Sequence, residues 1–356
     1  IQTAFNVYPE DVQELGPGNA LLVRKSGHVE EVNILPPTER MSCSFERIYF
    51  SRGNDQAIYH ERKELGRLLA TPVMGLLGND LVNTVFSYVP NTAATSFYGL
   101  IDGIHEIRRD LQAEALSKID VKNEPERVKE ILSWRPRREK ILVKDVKMRT
   151  FITNDSDRDD LVGHVYDITY GTVRKDEDTL VVIDDSIVRG TTLKESIIKM
   201  LARLSPKKII VVSSAPQIRY PDCYGIDMAK MGDFIAFEAA IALLRESGQA
   251  QVIDNVYKAA LEQVQLPKEQ VKNVVQRIYE PFTDTEISAK IAQMLTPEGM
   301  QADVEIIYQT VENLHLACPG HTGDWYFTGN YPTPGGNRVC NKALLNYLDG
   351  KNVRGY

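Results

Sequence analysis

The sequence predicts an α/β protein in which a central, mostly parallel sheet is flanked by helices. Short runs of β-branched residues alternate with helical stretches after residue 37. Several of these runs are apolar throughout, as strands buried on both faces of a sheet usually are. One of them leads through a short loop into a capped amphipathic helix, which is the order of a βα unit. The strand candidates are residues 81–89, 141–146, 179–185 and 208–214.

The first part of the chain has a different pattern. Two β-prone runs, 19–24 and 28–34, are separated by the tripeptide 25–27, and this arrangement predicts a hairpin. The chain starts at Ile1 rather than at a Met. We therefore expect it to be part of a longer protein, in which residues 1–40 are the last piece of a preceding β-rich domain.

Two further segments complete the predicted organisation. Residues 107–140 carry dense mixed charge, which predicts a solvated helical insertion rather than a nucleic-acid-binding arm. Helical periodicity returns from residue 252 onward. Its apolar faces are formed by Ile287, Ile291, Met294 and Leu295, and by Ile307, Val311 and Leu314. We expect a main domain over 41–260 and a helical C-terminal extension over 261–356.

The composition excludes several classes of protein. The 42 basic and 49 acidic residues give a net charge of -7, so a duplex-binding surface, which needs clustered Lys and Arg, is not expected. The apolar runs are shorter than the 18 or more residues of a membrane helix. Four scattered cysteines without a signal peptide argue against a secreted disulfide framework, and we expect a cytoplasmic protein. The net negative charge does not exclude a small phosphorylated ligand, because backbone N–H groups can hold a phosphate.

One segment combines the features of a ligand site. Four apolar residues predict a buried strand, and Asp184 and Asp185 follow at its carboxyl end, where open α/β sheets bind ligands. A loop of small residues comes next. Thr192 and Glu195 then have the spacing of a capping box that starts an amphipathic helix. The segment therefore presents a strand, an acidic pair, a loop and a helix N-terminus in that order.

This order predicts a site for a phosphorylated sugar. Free N–H groups of the loop and the helix start can hold a phosphate monoester, and the nearby hydroxyls add donors. The two carboxylates would repel that phosphate, so we expect them to face the vicinal hydroxyls of a ribose or a Mg²⁺ ion. A simple helix cap would explain the acidic pair by itself but not the whole segment. A ribose 5-phosphate that carries a pyrophosphate satisfies both halves.

The segment from Leu180 to Leu193 resembles the signature with which type I phosphoribosyltransferases bind 5-phosphoribosyl-1-pyrophosphate (PRPP). Residues 184–192 resemble in particular the glutamine amidophosphoribosyltransferase family. Further resemblance to this family is carried by residues 43–52, 58–66, 143–152, 214–227 and 327–332. The resemblance implies the type I phosphoribosyltransferase fold, and it identifies residues 1–40 as the remnant of an Ntn-type glutaminase domain.

The family resemblance also implies a reaction. Ammonia, released from glutamine in the full-length protein, would be transferred to C1 of PRPP, giving 5-phosphoribosylamine and pyrophosphate in the first step of purine nucleotide synthesis. Catalysis is then expected at Asp184, Asp185 and Arg149, and Mg²⁺ is expected at Thr92, Asp184 and Asp185. PRPP binding is expected from Asn91, Thr92, Ser186, Ile187, Val188, Arg189, Gly190, Thr191 and Thr192.

Residues 153–172 are expected to form a mobile lid over bound PRPP, because this segment is longer than the usual α/β connection. A rigid hairpin over 165–172 is the alternative. The lid contains few cations, and Asn91 stands where the family usually carries an acidic residue. Two other functions therefore stay open: a catalytically weak PRPP- or nucleotide-sensing protein of the same fold, and a phosphoribosyltransferase that acts on a base.

The resemblance suggests cofactors and partners as well. Some family members hold an iron-sulfur cluster, and Cys43, Cys223 and Cys318, followed by Cys340, stand near the corresponding positions. A 4Fe-4S cluster is thus a second cofactor hypothesis beside Mg²⁺, and buried free thiols are the alternative. The expected partners are PRPP, ammonia or glutamine, purine nucleotides as feedback ligands, and further copies of the chain in a homo-oligomer.

Overall fold

The computed structural model describes residues 5–144, 166–190, 193–225 and 228–356. The chain divides into two compact units, Ile1–Ser42 and Cys43–Tyr356. In the first unit, strand β1 (Asn19–Val23) pairs antiparallel with strand β2 (Val29–Asn33). Gly27, with a φ of 84°, closes the connection, since glycine adopts this left-handed conformation without steric cost. The predicted hairpin is therefore confirmed.

The second unit is built on a central parallel sheet. Within the described ranges this sheet has five strands, in the order β4-β3-β7-β8-β9, and every neighbouring pair is parallel. The strands are β3 (Thr84–Tyr88), β4 (Arg137–Arg138), β7 (Thr179–Asp184), β8 (Lys208–Ser213) and β9 (Asp303–Tyr308). A separate antiparallel pair is formed by β5 (Leu142–Lys144) and β6 (Tyr166–Ile168).

Helices surround the central sheet and form most of the C-terminal part. They are α1 (Gln56–Leu68), α2 (Ala70–Leu76), α3 (Ala94–Ser117), α4 (Pro125–Ser133), α5 (Lys199–Ala202), α6 (Ile235–Glu246), α7 (Gln251–Gln265), α8 (Asp284–Leu295), α9 (Val311–Ala317), α10 (Trp325–Thr328) and α11 (Pro334–Leu348). Helix α5 continues a π-helical segment at Leu193–Ile198. None of the helices in the described ranges is both long and apolar enough to cross a membrane.

The sheet is buried on both faces because alternate residues of one strand enter different cores. On β7, Leu180 and Val182 belong to the larger core, which also contains side chains of α6 and α8. Val181 and Ile183 belong to the smaller core, which contains side chains of α2 and α3. All four are inaccessible to solvent. A strand buried on both sides must be apolar at every position, which explains the continuous apolar run of the sequence.

The predicted strands at 81–89, 179–185 and 208–214 correspond to β3, β7 and β8. The candidate at 141–146 is a strand as far as Lys144, the last described residue there, but it pairs with β6 outside the central sheet. The sheet instead receives β4 from the end of the charged segment 107–140. The predicted fold class, an α/β protein with a central parallel sheet, is confirmed.

One helical expectation was wrong. Ile307 was expected to share a helix face with Val311 and Leu314, but it lies in β9, parallel to β8. The hydroxyl of Thr310 accepts a hydrogen bond from the amide of Asn313 at 3.1 Å, and so caps the start of α9 only after the strand has ended. The C-terminal region therefore contributes a strand to the central sheet in addition to its helices.

Candidate functional site

The carboxyl ends of β3, β7 and β8 lie side by side at one edge of the sheet. The amide of Val89 donates to the carbonyl oxygen of Ile183 at 2.9 Å, and the amide of Ser214 donates to the carbonyl oxygen of Asp184 at 2.9 Å. The Ser214 hydroxyl donates to the carbonyl oxygens of Asp184 at 3.2 Å and Asp185 at 3.1 Å. These bonds fix the backbone that carries the acidic pair.

Asp184 and Asp185 are half-buried at this edge. Burial and the neighbouring carboxylate raise the pKa of Asp184 well above its usual range. Burial raises the pKa of Asp185 to about 6, although several hydrogen bonds oppose the shift. Within the described part of the chain, neither carboxylate forms an ion pair with Lys or Arg. The pair therefore carries negative charge that the surrounding protein stabilises poorly, as groups that bind a cation or hydroxyl donors often do.

Two hydroxyls contact the acidic pair directly. The Ser186 hydroxyl donates to Oδ1 of Asp185 at 2.9 Å, and the Thr92 hydroxyl also hydrogen bonds to this carboxylate. Thr92 follows β3 and lies two residues before α3 begins at Ala94. The structure thus brings Thr92, Asp184, Asp185 and Ser186 together, whereas Asn91 is exposed beside them.

Arg62, on α1, is a buried cation behind this site. It is 4% exposed, and it donates from Nε to the carbonyl oxygen of Arg47 at 2.8 Å and from Nη2 to that of Ser51 at 2.8 Å. Its charge lowers the pKa of Asp185 and so partly offsets the effect of burial. Arg62 therefore fixes the segment before α1 and favours the ionised form of Asp185.

The antiparallel pair β5–β6 supplies two more neighbours. The ammonium of Lys144 lies 5.8 Å from the ring centroid of Tyr166, and its charge lowers the pKa of Asp184. Burial, together with the charges of Asp184 and Asp185, raises the pKa of the Tyr166 phenol. Tyr166 is consequently a neutral hydroxyl that faces the acidic pair.

The loop after the acidic pair is held by its own side chains. Ile187 is 4% exposed and belongs to the larger core. The carbonyl of Val188 accepts from the amide of Ile235 at 3.0 Å, and Arg189 pairs with Asp233 at 3.2 Å. The predicted roles of Ile187 and Val188 in binding can then concern only their backbone N–H groups.

Gly190 ends the described part of this loop. A Cβ atom at this position would lie 2.8 Å from Cδ1 of Ile235 and 2.8 Å from Cδ2 of Leu295. Close packing, rather than a ligand, is therefore the visible reason for a glycine at this position.

Several predicted residues lie outside the described ranges. They are Arg149, Thr191 and Thr192. The predicted lid falls outside them up to residue 165. Of its remainder, Tyr166–Ile168 form β6, and the mobility of the lid stays a prediction.

The cysteines were expected to be cluster ligands or buried thiols. All four are free: Cys318 and Cys340 are buried, and Cys43 and Cys223 are half-buried. Burial raises the pKa of Cys223 to about 11 and that of Cys318 to about 12, which favours the thiol over the thiolate that binds iron. The described residues contain no group of three or more Cys, His, Asp or Glu placed to hold a metal ion. The cluster stays a prediction from the family resemblance.

From the sequence, no role was assigned to Arg62, Lys144 or Ser214. Arg62, Lys144 and Ser214 lie in stretches that carry the family resemblance, which was the available signal. Tyr166 was expected to help close the lid, and no contact with the acidic pair was predicted for it. Together with the acidic pair, Thr92 and Ser186, they place two carboxylates, four hydroxyls and two nearby cations at this edge of the sheet. Such a set can accept hydrogen bonds from vicinal hydroxyls or bind a divalent cation.

Comparisons with known proteins agree with the predicted family. A protein named amidophosphoribosyltransferase from Lachancea kluyveri is 30% identical over 236 residues, which are 63% of this chain and 39% of that protein. One of the same name from Haemophilus influenzae is 28% identical over 264 residues, 72% of this chain and 46% of that protein. The chain thus spans less than half the length of either relative. No family model matches it.

A solved structure shares the fold. The glutamine PRPP amidotransferase from B. subtilis, complexed with ADP and GMP, superimposes with a TM-score of 0.53 at 22% identity. The superposition covers 93% of this chain and 56% of that one. The predicted phosphoribosyltransferase fold is confirmed by this likeness.

Proposed function

This chain is a homologue of amidophosphoribosyltransferases over 63–72% of its length, and from that premise we propose that it transfers ammonia to C1 of PRPP. The products would be 5-phosphoribosylamine and pyrophosphate, in the first step of purine nucleotide synthesis. The observation that carries the proposal is the Asp184–Asp185 pair, half-buried at the carboxyl edge of a parallel sheet and short of cationic partners. Ligands of open α/β sheets bind at this edge.

The acidic pair suits the ribose of PRPP. Each of the two vicinal ribose hydroxyls can donate a hydrogen bond to a carboxylate, and charge-assisted bonds of this kind contribute about 1.5–3 kcal/mol each. The hydrogen bonds that the Ser214 hydroxyl donates to the carbonyl oxygens of Asp184 and Asp185 hold the backbone of the acidic pair in place before the substrate arrives. Preorganisation of this kind lowers the cost of ordering the site on binding.

Mg²⁺ fits the same residues. It prefers oxygen ligands and is usually held by one or two carboxylates, with phosphate oxygens of the substrate completing the shell. Asp184, Asp185 and the hydroxyl of Thr92 would provide the protein ligands, because Thr92 and Asp185 are already in contact. When bound, the ion would neutralise charge on the departing pyrophosphate.

The chain's own residues have binding and positioning roles in the proposed reaction. Displacement at C1 passes through an oxocarbenium-like state, so no protein nucleophile is needed, and water must be kept away. The charge of Lys144 lowers the pKa of Asp184 and that of Arg62 lowers the pKa of Asp185, so the two cations partly offset the effect of burial without pairing with the carboxylates. The neutral phenol of Tyr166 lies next to that pair and can donate a hydrogen bond to it or to a ligand. The N–H groups of the loop from Ser186 to Gly190 would hold the 5-phosphate.

Ligands beyond PRPP form part of the same proposal. The B. subtilis relative is described as complexed with ADP and GMP. We extend purine nucleotides to this chain as feedback ligands and expect the active form to be a homo-oligomer. Size-exclusion chromatography with light scattering, with and without GMP, tests both statements together.

Pyrophosphate release tests the proposed function. The chain is incubated with PRPP, Mg²⁺ and ammonium chloride at pH 8, where free ammonia is available, so that the transferase site is tested by itself. Release that depends on all three components supports the proposal, and Asp185→Asn should reduce it. Asp176→Asn is the matched control, because Asp176 is exposed and has a φ of 57°, which Asn tolerates.

Other outcomes of this assay would favour the alternative functions. PRPP binding without pyrophosphate release under any condition would favour a PRPP- or nucleotide-sensing protein. Release driven by a purine or pyrimidine base but not by ammonia would favour a base phosphoribosyltransferase. Absence of both binding and release would overturn the assignment of the acidic pair to PRPP.

A further inference from the structure

A cleft separate from the acidic pair opens between the C-terminal half of α3, helix α4 and the turn before β3. We call it the α3–α4 cleft. Its volume is about 610 Å³, within the range of small-molecule sites. Its apolar lining comes from Leu81, Leu111, Ile119, Ile131 and Trp134. The turn at residues 79–82 precedes the amino end of β3, so the cleft lies at the opposite edge of the sheet from Asp184.

Some charged side chains around the α3–α4 cleft have hydrogen-bond or ion-pair partners, and one has few. The Asp80 carboxylate accepts from the amides of Val82 and Asn83 at 3.0 Å each, and Glu114 pairs with Lys118. Arg108 has no such partner. Its guanidinium makes one hydrogen bond, from Nη1 to the carbonyl oxygen of Trp134 at 3.3 Å, and its buried Nε has none.

Arg108 is thus a half-buried cation without a carboxylate among the residues described. A guanidinium has five N–H donors and stays charged at physiological pH. An unpaired charge of this kind beside apolar side chains is unfavourable, and an incoming anion relieves the cost. The remaining ionic side chains of the cleft, Arg127 and Glu130, are exposed at its rim, where solvent screens them.

We propose that the α3–α4 cleft binds a small aromatic anion, with its ring against the apolar lining and its single negative group on Arg108. The apolar walls and the indole of Trp134 favour a planar ring. Arg108 is the half-buried cation of the cleft, and it favours one carboxylate or sulfonate rather than a polyanion, because a second negative group would meet Glu114 or Glu130. This site is independent of the proposed PRPP site, and its test needs no turnover.

The probe is 8-anilinonaphthalene-1-sulfonate (ANS), an aromatic molecule with a planar naphthalene ring and one sulfonate. The chain has two tryptophans, of which Trp134 lines the cleft and Trp325 is buried elsewhere. Bound ANS should therefore receive excitation energy from Trp134. In Trp134→Phe this transfer should be lost while directly excited ANS fluorescence still reports binding. Transfer that persists unchanged in Trp134→Phe would overturn the location.

Arg108→Met tests the anion contact, and Arg109→Met is the matched control, because Arg109 is the exposed neighbour on the same helix and does not line the cleft. Arg108→Met should weaken ANS binding about tenfold, which is the expected effect of one charge-assisted contact. Arg109→Met should change it less than about twofold. Equal effects of the two substitutions would overturn the proposal.

A measurement on the unmodified chain keeps the proposal testable even if Arg108→Met does not fold. The uncharged analogue N-phenyl-1-naphthylamine has a similar ring system without the sulfonate. ANS should bind the cleft on the order of tenfold more tightly than this neutral analogue, as judged by energy transfer from Trp134. Equal or weaker binding of ANS would show that no cation in the cleft recognises the anion.

Discussion

Gly66 and Gly99 lie where α1 crosses α3, and each glycine leaves room only for the backbone of the other helix. A Cβ atom on Gly66 would overlap the carbonyl oxygen of Ser96 and lie 2.9 Å from the amide nitrogen of Leu100. A Cβ atom on Gly99 would overlap the carbonyl oxygen of Lys63 and lie 3.0 Å from the amide nitrogen of Arg67. The two helices therefore meet backbone to backbone. Because Arg62 lies on α1 and Thr92 lies two residues before the start of α3, this crossing also sets the distance between two parts of the candidate site.

The first prediction concerns this helix crossing. Gly66→Ala or Gly99→Ala should destabilise the fold by about 1–3 kcal/mol or more, because the added methyl group meets backbone that cannot rotate away. Urea denaturation followed by circular dichroism measures the free energy of unfolding.

The control for the crossing is Gly75→Ala. Gly75 is a helical glycine on α2 with nothing within 4 Å of the added Cβ atom. This change should stabilise the chain by about 0.5–1 kcal/mol, as expected where alanine replaces an exposed helical glycine. If all three substitutions changed the free energy of unfolding in the same direction, the close approach of α1 and α3 would be contradicted.

The second prediction concerns ligand affinity at the acidic pair. Asp185→Asn should weaken binding of PRPP with Mg²⁺ about tenfold to a hundredfold, because a charge-assisted hydrogen bond becomes a neutral one. Isothermal titration calorimetry at pH 8 measures the affinity, and Asp176→Asn serves as the exposed control. Unchanged affinity in Asp185→Asn would remove this residue from the site.

The central strands of the fold were predictable from local pattern, but its C-terminal edge strand was not. β7 is apolar at every buried position and β8 at every buried position except Ser213, so their runs stand out in the sequence. β9 reads Asp303 to Tyr308 with polar residues interspersed, and Glu305 pairs with Lys208 on the neighbouring strand. Its pairing joins segments about 95 residues apart in sequence. No local periodicity reports such a long-range contact, and the spacing of Ile307 and Val311 happened to fit a helix.

In the candidate site, too, some residues were predictable from the local sequence and others only from the tertiary structure. Asp184, Asp185 and Ser186 are adjacent in sequence, so a strand followed by a loop was enough to place them together. Thr92 was placed only through the family resemblance. The contribution of Arg62 depends on how α1 packs against the segment before it, since its partners are backbone carbonyls of Arg47, Tyr49 and Ser51. Backbone acceptors leave no signal in the sequence, so tertiary structure was needed to find this cation.

The third prediction concerns how the acidic pair affects stability. The pKa of Asp185 is raised to about 6 in the folded chain, whereas unfolding returns it to the usual value near 4. Between these values the folded state holds more protons than the unfolded state, so stability falls as pH rises through this window. Asp185→Asn removes the titrating group. As the pH rises from 4.5 to 7.5, the free energy of unfolding of Asp185→Asn should therefore increase, relative to that of the unmodified chain, by on the order of 1 kcal/mol after screening by solvent.

Thermal unfolding at the two pH values measures this gain. The unmodified chain and Asp185→Asn are compared at each pH, with Asp176→Asn as the control that should show no such change. A gain that is equal at pH 4.5 and 7.5 would contradict the raised pKa.

The last prediction has the opposite sign and lies at the other edge of the sheet. Asp178 is inaccessible to solvent; it accepts from Nη1 of Arg137 at 2.6 Å and from the amide and Nη2 of Arg174 at 2.6 Å and 2.7 Å. Burial alone would raise the pKa of Asp178, but these hydrogen bonds outweigh it and lower the pKa. A carboxyl with a lowered folded pKa stabilises the fold above its unfolded pKa and loses this contribution as pH falls through the folded value. Asp178→Asn should therefore destabilise the chain by about 1.5–3 kcal/mol at pH 7 and by less near pH 3. Urea denaturation measures the free energy of unfolding at both pH values.

The control is Asp176→Asn, because Asp176 is exposed and lies two residues away. It should have little effect on the free energy of unfolding at either pH. A loss in Asp178→Asn no larger than in this control would show that the two arginines do not depend on Asp178. Because Arg137 belongs to β4 and Asp178 directly precedes β7, the loss at pH 7 would report on the contact that joins the edge strand to the centre of the sheet.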